Sequence, residues 1–401
     1  MNKSKLRTPS YIVQEGALKH NLEILRSVRE KSGCKILLAQ KAFSMYHTYP
    51  LIAEYLDGTT ASGIFEAKLA DEEFVCSEKC ENHVFEPAFN VDEMKDLCEI
   101  CSHIYFNSIS QLELHRPVWE PYQKAGKIKV ALRINPEFST QEGHEIYDPC
   151  SSGSRLGIRK ANLPEKLPEG VTGLHFHTMC EQNVQPLIDT FASVEENFSE
   201  YLKQVSWINM GGGHHITRDD YEVDRLVSFL KDVKERYGFE IYLEPGEAIA
   251  LNAGTLITTV MDIVDSDDIP TLIMDASASC HMPDVIEMPY TPPLEGALES
   301  KLGCEAFDKA LNAREGIEGV WVRLASRTCL AGDIIGIYRL PEMPKVGDIL
   351  TFTDMAIYSM VKNNTFNGMP LPDIVLEKDG TYEDRYELVK RFGYEDFKER
   401  L

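Results

Sequence analysis

The chain has 401 residues, 43% of them hydrophobic and 26% charged, and 64 acidic side chains against 41 basic ones leave a formal charge of -23. That length suits one large domain with a smaller one. Such acidity repels nucleic acid and anionic membrane, and it suits either a cationic small-molecule partner or simple solubility.

No run of eighteen apolar residues predicts a membrane span, and the opening MNKSKLRTPSYIV carries no apolar signal core. Ten cysteines scattered along a large chain read as reduced thiols in a cytoplasmic protein. Cys76 with Cys80, and Cys98 with Cys101, have a spacing that loosely permits zinc. The second pair, however, lies on a helix-like stretch where small apolar residues pack, so no metal is expected there.

In chain order, TPSYIV reads first, as a strand that returns to a later domain. Eight β-like runs then alternate with helical patterns. The first four are Lys35 to Gln40, Thr59 to Ser62, His83 to Glu86 and His103 to Asn107. Ile128 to Ile134, Val171 to His177, Val205 to Met210 and Glu240 to Leu243 follow. Between them, stretches such as IFEAKLADEEF, ISQLELHRPVWEPYQKAG and DDYEVDRLVSFLKDVKERYG read as helices, the last with apolar residues at three- and four-residue spacing. Eight strands mostly followed by helices predict a (β/α)8 TIM-like barrel over residues 22–250 rather than an open sheet. The segment FSTQEGHEIYDPCSSGSRLG, between strands five and six, reads as a long functional loop. After about Leu251 the texture becomes strand and turn. Residues 251–401, with 1–21, are therefore expected to form a C-terminal β-sandwich or β-barrel domain.

A barrel places functional side chains just past the C-terminal ends of its strands. Lys41, Arg133, His177, the run Gly211, Gly212, Gly213, and Glu244 all fall there. Lys41 ends an apolar run, where it either snorkels to solvent or is used chemically. The three glycines make a tight turn or an anion nest, and barrels often hold phosphate after strands seven and eight. Glu244, in YLEPGEA, is a salt-bridged carboxylate or the partner of a heteroaromatic nitrogen. His175 and His177 share a strand face. They suit a flat ring against a cofactor, a satisfied core, or a metal with Cys180, His214 or His215. Lysine, phosphate nest, carboxylate and stackable histidine together describe a pyridoxal-phosphate site with a Schiff-base lysine. In the later domain Cys329 is a candidate proton donor or a small buried residue. Tyr358 is a phosphate donor or a core aromatic. Asp275, Asp284 and Glu287 are candidate amine receivers or solvated carboxylates.

The blocks LLAQKAFS, DGTTASG, FNSISQLE, SRLG, GGGHH, YLEPGEA, CHMPD, CLAGD and NNTFNG, in that order, run along nearly the whole chain. On them the chain resembles the barrel-type (alanine-racemase-like, fold type III) pyridoxal-phosphate decarboxylases, and among these most closely the carboxynorspermidine/carboxyspermidine decarboxylase family. The resemblance implies that Lys41 holds pyridoxal 5'-phosphate covalently, that His177 stacks on its ring, and that Arg133 lies near the 3-hydroxyl. It implies that Glu244 pairs with the ring nitrogen, and that Gly211, Gly212, Gly213 and Tyr358 bind the phosphate. It also implies a homodimer with shared active sites, in which Cys329 reaches the partner's site and Asp333 pairs with Arg159 across the interface. Ornithine-type relatives typically carry an arginine just after EPG. Here the residue is Glu247, as in the carboxynorspermidine branch, and the acidic residue that ornithine-type enzymes place after the cysteine is Leu330. Glu247, Asp284 and Asp275 are then the candidates for the distal amines.

The implied activity is decarboxylation of carboxynorspermidine or carboxyspermidine to norspermidine or spermidine, with Cys329 returning a proton to carbon. Other readings are a diaminopimelate, ornithine or arginine decarboxylase, a racemase, a cofactor-binding homologue without turnover, and a metal-dependent barrel hydrolase using His175, His177 and His214.

Overall fold

Apolar residues at consecutive positions suit a strand buried on both faces, as parallel barrel strands are. The computed structural model describes residues 5–76, 80–141, 148–303, 307, 318–380 and 385–401. The chain divides into two units, His20–Ile249 and Met1–Lys19 with Ala250–Leu401. After β1 (Ser10–Gln14), which belongs to the second of these, eight parallel strands close into a barrel: β2 (Lys35–Ala39), β3 (Gly58–Ala61), β4 (Glu81–Phe85), β5 (His103–Phe106), β6 (Lys129–Arg133), β7 (Val171–His175), β8 (Trp207–Asn209) and β9 (Glu240–Leu243). β9 closes on β2 through Lys35 opposite Tyr242.

Side chains alternate along each strand, so every second residue points into the barrel. Leu37, Tyr105, Ala131, Trp207 and Tyr242 meet there in one buried cluster. Gly173 makes room for an indole: a Cβ at that position would sit 2.1 Å from Trp207. Helices follow most strands. The one after β5, Ile109–Lys124, begins where the Ser108 hydroxyl accepts the Gln111 amide, an N-cap that satisfies an otherwise orphaned donor.

β6 departs from the repeat. Its end bridges Ile134 to Ile158, and the described residues between them, 135–141 and 148–157, hold no helix; residues 142–147 of the expected loop lie outside the described residues. Asn107 Nδ2 donates to the Arg155 carbonyl at 2.8 Å and its Oδ1 accepts the Gly157 amide at 2.7 Å. Gly157 has φ +80°, and a Cβ there would meet the Ile134 backbone at 2.7 Å. The blocks FNSISQLE and SRLG are thus two sides of one contact.

In the other unit β1 lies inside a nine-stranded mixed sheet, with β10 (Gly254–Val264), β11 (Thr271–Met274), β12 (Glu299–Lys301), β13 (Val320–Ser326), β14 (Ile334–Leu340), β15 (Ile349–Thr353), β16 (Asp373–Glu377) and β17 (Tyr386–Lys390). β10 turns the corner. Before a register shift at Val260/Asp262 it pairs with β1 and β15; from the shift on it pairs with β11. A bulge that lets one strand serve two sheets is how sandwiches make corners. Tyr11, Leu256, Val322, Tyr338 and Phe352 pack between the two sheet halves in one core. TPSYIV therefore returns to this sheet, as its pattern predicts.

One expectation fails. Cys76 and Cys80 are joined in a disulfide, so the cysteines are not all thiols, and this pair is unavailable to a zinc tetrad with the buried Cys98 and Cys101. Among the described residues no helix is long and apolar enough to cross a membrane.

Candidate active site

Small residues bring the ends of β2 and β9 together. A Cβ on Gly246 would lie 2.7 Å from the Ala42 Cβ, and the Ala39 amide donates to the Pro245 carbonyl at 3.0 Å. This close approach sets Lys41 in the same mouth as Glu244 and Glu247. The Lys41 side chain is open to the mouth but enclosed by protein on its flanks. That enclosure, joined by the Arg133 charge, lowers its pKa against the opposing pull of Glu244 and Glu247. A lowered lysine pKa favours the free amine, the nucleophilic form.

Arg133, at the end of β6, is 5% exposed; its guanidinium donates to the His177 carbonyl at 3.0 Å and lies over the Phe85 ring. Burial pushes its pKa down to about 10, so it stays charged at neutral pH. His177 Nδ1 accepts the Gly212 amide at 2.9 Å. Burial, with Lys41 and Arg133 nearby, takes the ring far below its ordinary pKa. His177 is a neutral, fixed flat ring.

Glu244 is 8% exposed. Its Oε1 accepts Asn209 Nδ2 at 2.7 Å, and its Oε2 lies 3.3 Å from His175 Nε2. Burial works to raise its pKa, but His175, His83 and the Thr60 hydroxyl outweigh it and hold the carboxyl below the usual range. Glu247 opens a short helix and pairs with His215 at 2.7 Å.

The three glycines do different jobs. The Gly211 amide donates to Asn209 Oδ1 at 2.8 Å and the Gly212 amide to His177. A Cβ on Gly212 would meet the Glu244 carbonyl at 2.1 Å, and one on Gly213 (φ +83°) the Met179 carbonyl at 1.8 Å. All three positions need glycine for close approach, but only the Gly213 amide is left without an acceptor among the described residues. The Gly211 and Gly212 amides are thus taken up within the turn, and the Gly213 amide is the one left open to an anion.

The sheet unit gathers a second cluster. Asp333, 2% exposed, accepts from the Ser277 hydroxyl at 2.7 Å, from the Ser279 amide and hydroxyl, and from Thr328. Asn364 Nδ2 donates to the Ser279 carbonyl at 2.7 Å, and the Cys329 amide donates to Asn367 Oδ1 at 2.6 Å. The blocks CHMPD, CLAGD and NNTFNG thus converge and hold Cys329, whose side chain is exposed. Tyr358 (φ +53°) starts the short helix Ser359–Lys362 of the same cluster. Asp333 has no open face for Arg159, which pairs with Glu137 at 3.5 Å in its own chain. Asp275 accepts from Thr8, Thr258 and the Thr259 amide, and so fastens strands of the sheet. Asp284 pairs with Lys362, as does Glu287 at 2.6 Å.

A metal on His175, His177 and His214 finds no support. His177 Nδ1 is occupied by Gly212, and His214 Nδ1 lies 2.7 Å from the Tyr221 hydroxyl. The group of described side chains whose ligand atoms do converge is Glu81, His83 and His103. Sequence reasoning also overlooked Asn209, Thr60 and Glu86. Glu86 directly follows β4 on the same rim, and burial, with Glu93 and Glu66 nearby, pushes its carboxyl up to about 7. Its place after a strand end was the available signal.

A lysine amine of lowered pKa, a neutral flat ring, a buried guanidinium and an ionised buried carboxylate converging on one mouth fit pyridoxal phosphate. So does an unsatisfied turn amide. The comparisons agree. The family model for pyridoxal-dependent decarboxylase, C-terminal sheet domain, matches residues 73–356. The chain is 38% identical to a carboxynorspermidine/carboxyspermidine decarboxylase of Campylobacter jejuni, over 98% of both chains. It is 36% identical to a carboxyaminopropylagmatine decarboxylase of Synechocystis, over 99% of this chain and 96% of that one. The crystal structure of Campylobacter jejuni carboxynorspermidine decarboxylase complexed with norspermidine superposes with a TM-score of 0.88 at 35% identity, covering 99% of this chain and all of that one. The chain therefore belongs to the pyridoxal-dependent decarboxylases, within the carboxynorspermidine/carboxyspermidine decarboxylase family, and its cofactor is pyridoxal 5'-phosphate.

Proposed function

We propose that this protein removes the α-carboxylate of carboxynorspermidine and carboxyspermidine as CO2, leaving norspermidine or spermidine, in polyamine biosynthesis. The observation that carries the reading is the barrel mouth itself: Lys41, Arg133, His177 and Glu244 converge on it, with Glu247 where ornithine-type enzymes place an arginine.

When bound, the coenzyme supplies an electron sink for the pair left behind as the carbon–carboxylate bond breaks. Lys41 would anchor the coenzyme through its amine, and the His177 ring would support one face. Arg133 would lie on the 3-hydroxyl side, and Glu244 would keep a proton on the ring nitrogen. The Gly213 amide and the Tyr358 hydroxyl would take the phosphate. Cys329, supplied by the second subunit of a homodimer, donates the proton that replaces CO2 on carbon. Glu247 and Asp284 hold the distal ammonium groups by charge-assisted hydrogen bonds, each exchanging its present partner, His215 or Lys362, for substrate. Asp275 is left to the sheet.

A substrate panel tests this. The holoenzyme is given carboxynorspermidine, carboxyspermidine, carboxyaminopropylagmatine, ornithine, lysine, arginine and diaminopimelate, and CO2 release is followed. The two carboxylated polyamines are expected to exceed the amino acids by at least about 100-fold in kcat/KM, because the shorter substrates cannot reach the distal carboxylates and forgo those charge-assisted hydrogen bonds. Between themselves they should differ less, since one methylene is worth about 10–200-fold at most. Best turnover of ornithine or diaminopimelate would overturn the reading. A second reading, carboxyaminopropylagmatine as preferred substrate, is favoured by the 36% identical relative. The same panel decides it.

A further inference from the structure

Below the mouth, inward-facing side chains form an unbroken hydrogen-bonded chain through the barrel. Asn209 Nδ2 donates to Glu244 Oε1 at 2.7 Å and to the Tyr105 hydroxyl oxygen at 2.9 Å. Tyr105 bonds His83 Nδ1, and His83 Nε2 lies 2.8 Å from Glu81 Oε2. Glu81 pairs with Lys35, Lys35 with Glu240 at 2.6 Å, and Glu240 with Lys129 at 2.8 Å. Lys129 is exposed at the N-terminal end of β6.

The chain has one sense. Asn209 Oδ1 is held by the Gly211 amide, so its NH2 must face Glu244 and Tyr105. Tyr105 already accepts from Asn209, so its single proton goes to His83 Nδ1. His83 then carries its own proton on Nε2 and donates it to Glu81, whose carboxylate is kept ionised against its burial by that hydrogen bond and by Lys35. Asn209, Tyr105 and His83 are all 0% exposed, and in a dry interior such a network persists only when every member is paired.

We propose that Asn209, Tyr105, His83 and Glu81 are positioning residues, a relay anchored at the far end of the barrel that holds Glu244 as an oriented carboxylate for the coenzyme's ring nitrogen. The inference rests on the ring-nitrogen reading of Glu244. Filling the barrel needs no such chain: Leu37, Ala131 and Trp207 occupy neighbouring inward positions. Nor is the Glu81, His83, His103 group a metal site. Its ligand atoms lie close together, but the two imidazoles stack at 3.8 Å between centroids, and both nitrogens of His83 are already engaged, so His83 has no lone pair left for an ion. The groups facing the relay are Lys35, Glu240 and Lys129 below, and His103 and Tyr242 beside His83. Thr60, His175, Arg133 and Lys41 surround Glu244. Burial keeps His83 and His103 neutral, so its polarity does not reverse near neutral pH.

The test uses coenzyme-loaded wild type, Tyr105→Phe, Glu81→Gln, Glu81→Asp and Glu244→Gln. It reads kcat, KM, thermal stability and the pH titration of the bound coenzyme's visible absorption. With the relay cut, Asn209 is no longer held by Tyr105, so its donation to Glu244 Oε1 loosens and the carboxylate becomes more basic, drawing the proton off the ring. Tyr105→Phe and Glu81→Gln are expected to lower kcat about tenfold with KM nearly unchanged, the size usual for outer-shell partners. They should move the absorption midpoint in the direction of Glu244→Gln, and Glu81→Asp should recover part of the loss. If Glu244→Gln moves the titration and these two variants do not, the relay is overturned and Glu244 keeps its role. The relay falls in that case even if kcat declines in step with thermal stability. If Glu244→Gln itself moves nothing, the ring-nitrogen reading falls first. Should Tyr105→Phe fail to fold, Glu81→Gln at the solvent end decides alone.

Discussion

Lys41→Ala should lower decarboxylation by at least about a thousandfold, the scale on which a covalent anchor is worth more than any single binding contact. Position is the first reason. Lys41 follows the apolar run of β2, and the small residues Ala39, Ala42 and Gly246 draw the β2 and β9 ends close enough to place it near both acidic side chains of EPGE. Enclosure and Arg133 lower its pKa, so more of it is uncharged amine near neutral pH than for a solvent lysine. Alanine keeps the fold's contacts, because the side chain stands open to the mouth. Borohydride reduction of wild type followed by peptide mass analysis should leave a pyridoxyl mass on the Lys41 peptide, and the variant should show none there. A snorkelling lysine would behave otherwise: Lys41→Ala would keep turnover within a few-fold and the label would fall elsewhere.

The barrel was legible because most of its strands carry a short apolar run followed by turn residues, so KILLA or EIYL announces itself without a partner. The rim was legible for the same reason. Once the strand ends are known, topology says which residues face the mouth, and Lys41, Arg133, His177 and Glu244 follow. What stayed hidden depends on pairing across long sequence separations. Asn209, Tyr105 and His83 look like polar interruptions of three unrelated strands, and only the registers of β4, β5 and β8 bring them into one line. GGG reads as a phosphate nest because glycine permits one. That two of its amides are already taken by Asn209 and His177 is a matter of side-chain reach. Likewise Asp275 and Asp284 are carboxylates of unknown occupation until Thr258 and Lys362 are placed beside them. The Cys76–Cys80 pair shows the converse: a spacing of four fitted a zinc site as well as a closed loop.

Glu244→Gln should lower kcat by about 10²–10³, the cost of removing one preorganised group aimed at charge that develops in the transition state. Glutamine has the same shape, and its Oε1 can still accept from Asn209, so coenzyme retention and KM should change far less than kcat. What changes is the sign of the group at the ring nitrogen. In the proposed role the carboxylate would stabilise a proton there and so keep the ring able to take up the electron pair left by CO2. An amide offers that nitrogen an N–H of its own and favours the unprotonated ring. The pH dependence separates this from loss of packing. Glu244 is held below the usual carboxylate range despite its burial. The wild-type rate should therefore keep this contribution until the pH falls beneath that range, whereas the glutamine variant should be slow throughout, with no such limb. Turnover within about threefold of wild type would leave Glu244 a structural member of the Asn209 and His175 cluster and move the electron-sink role to another residue.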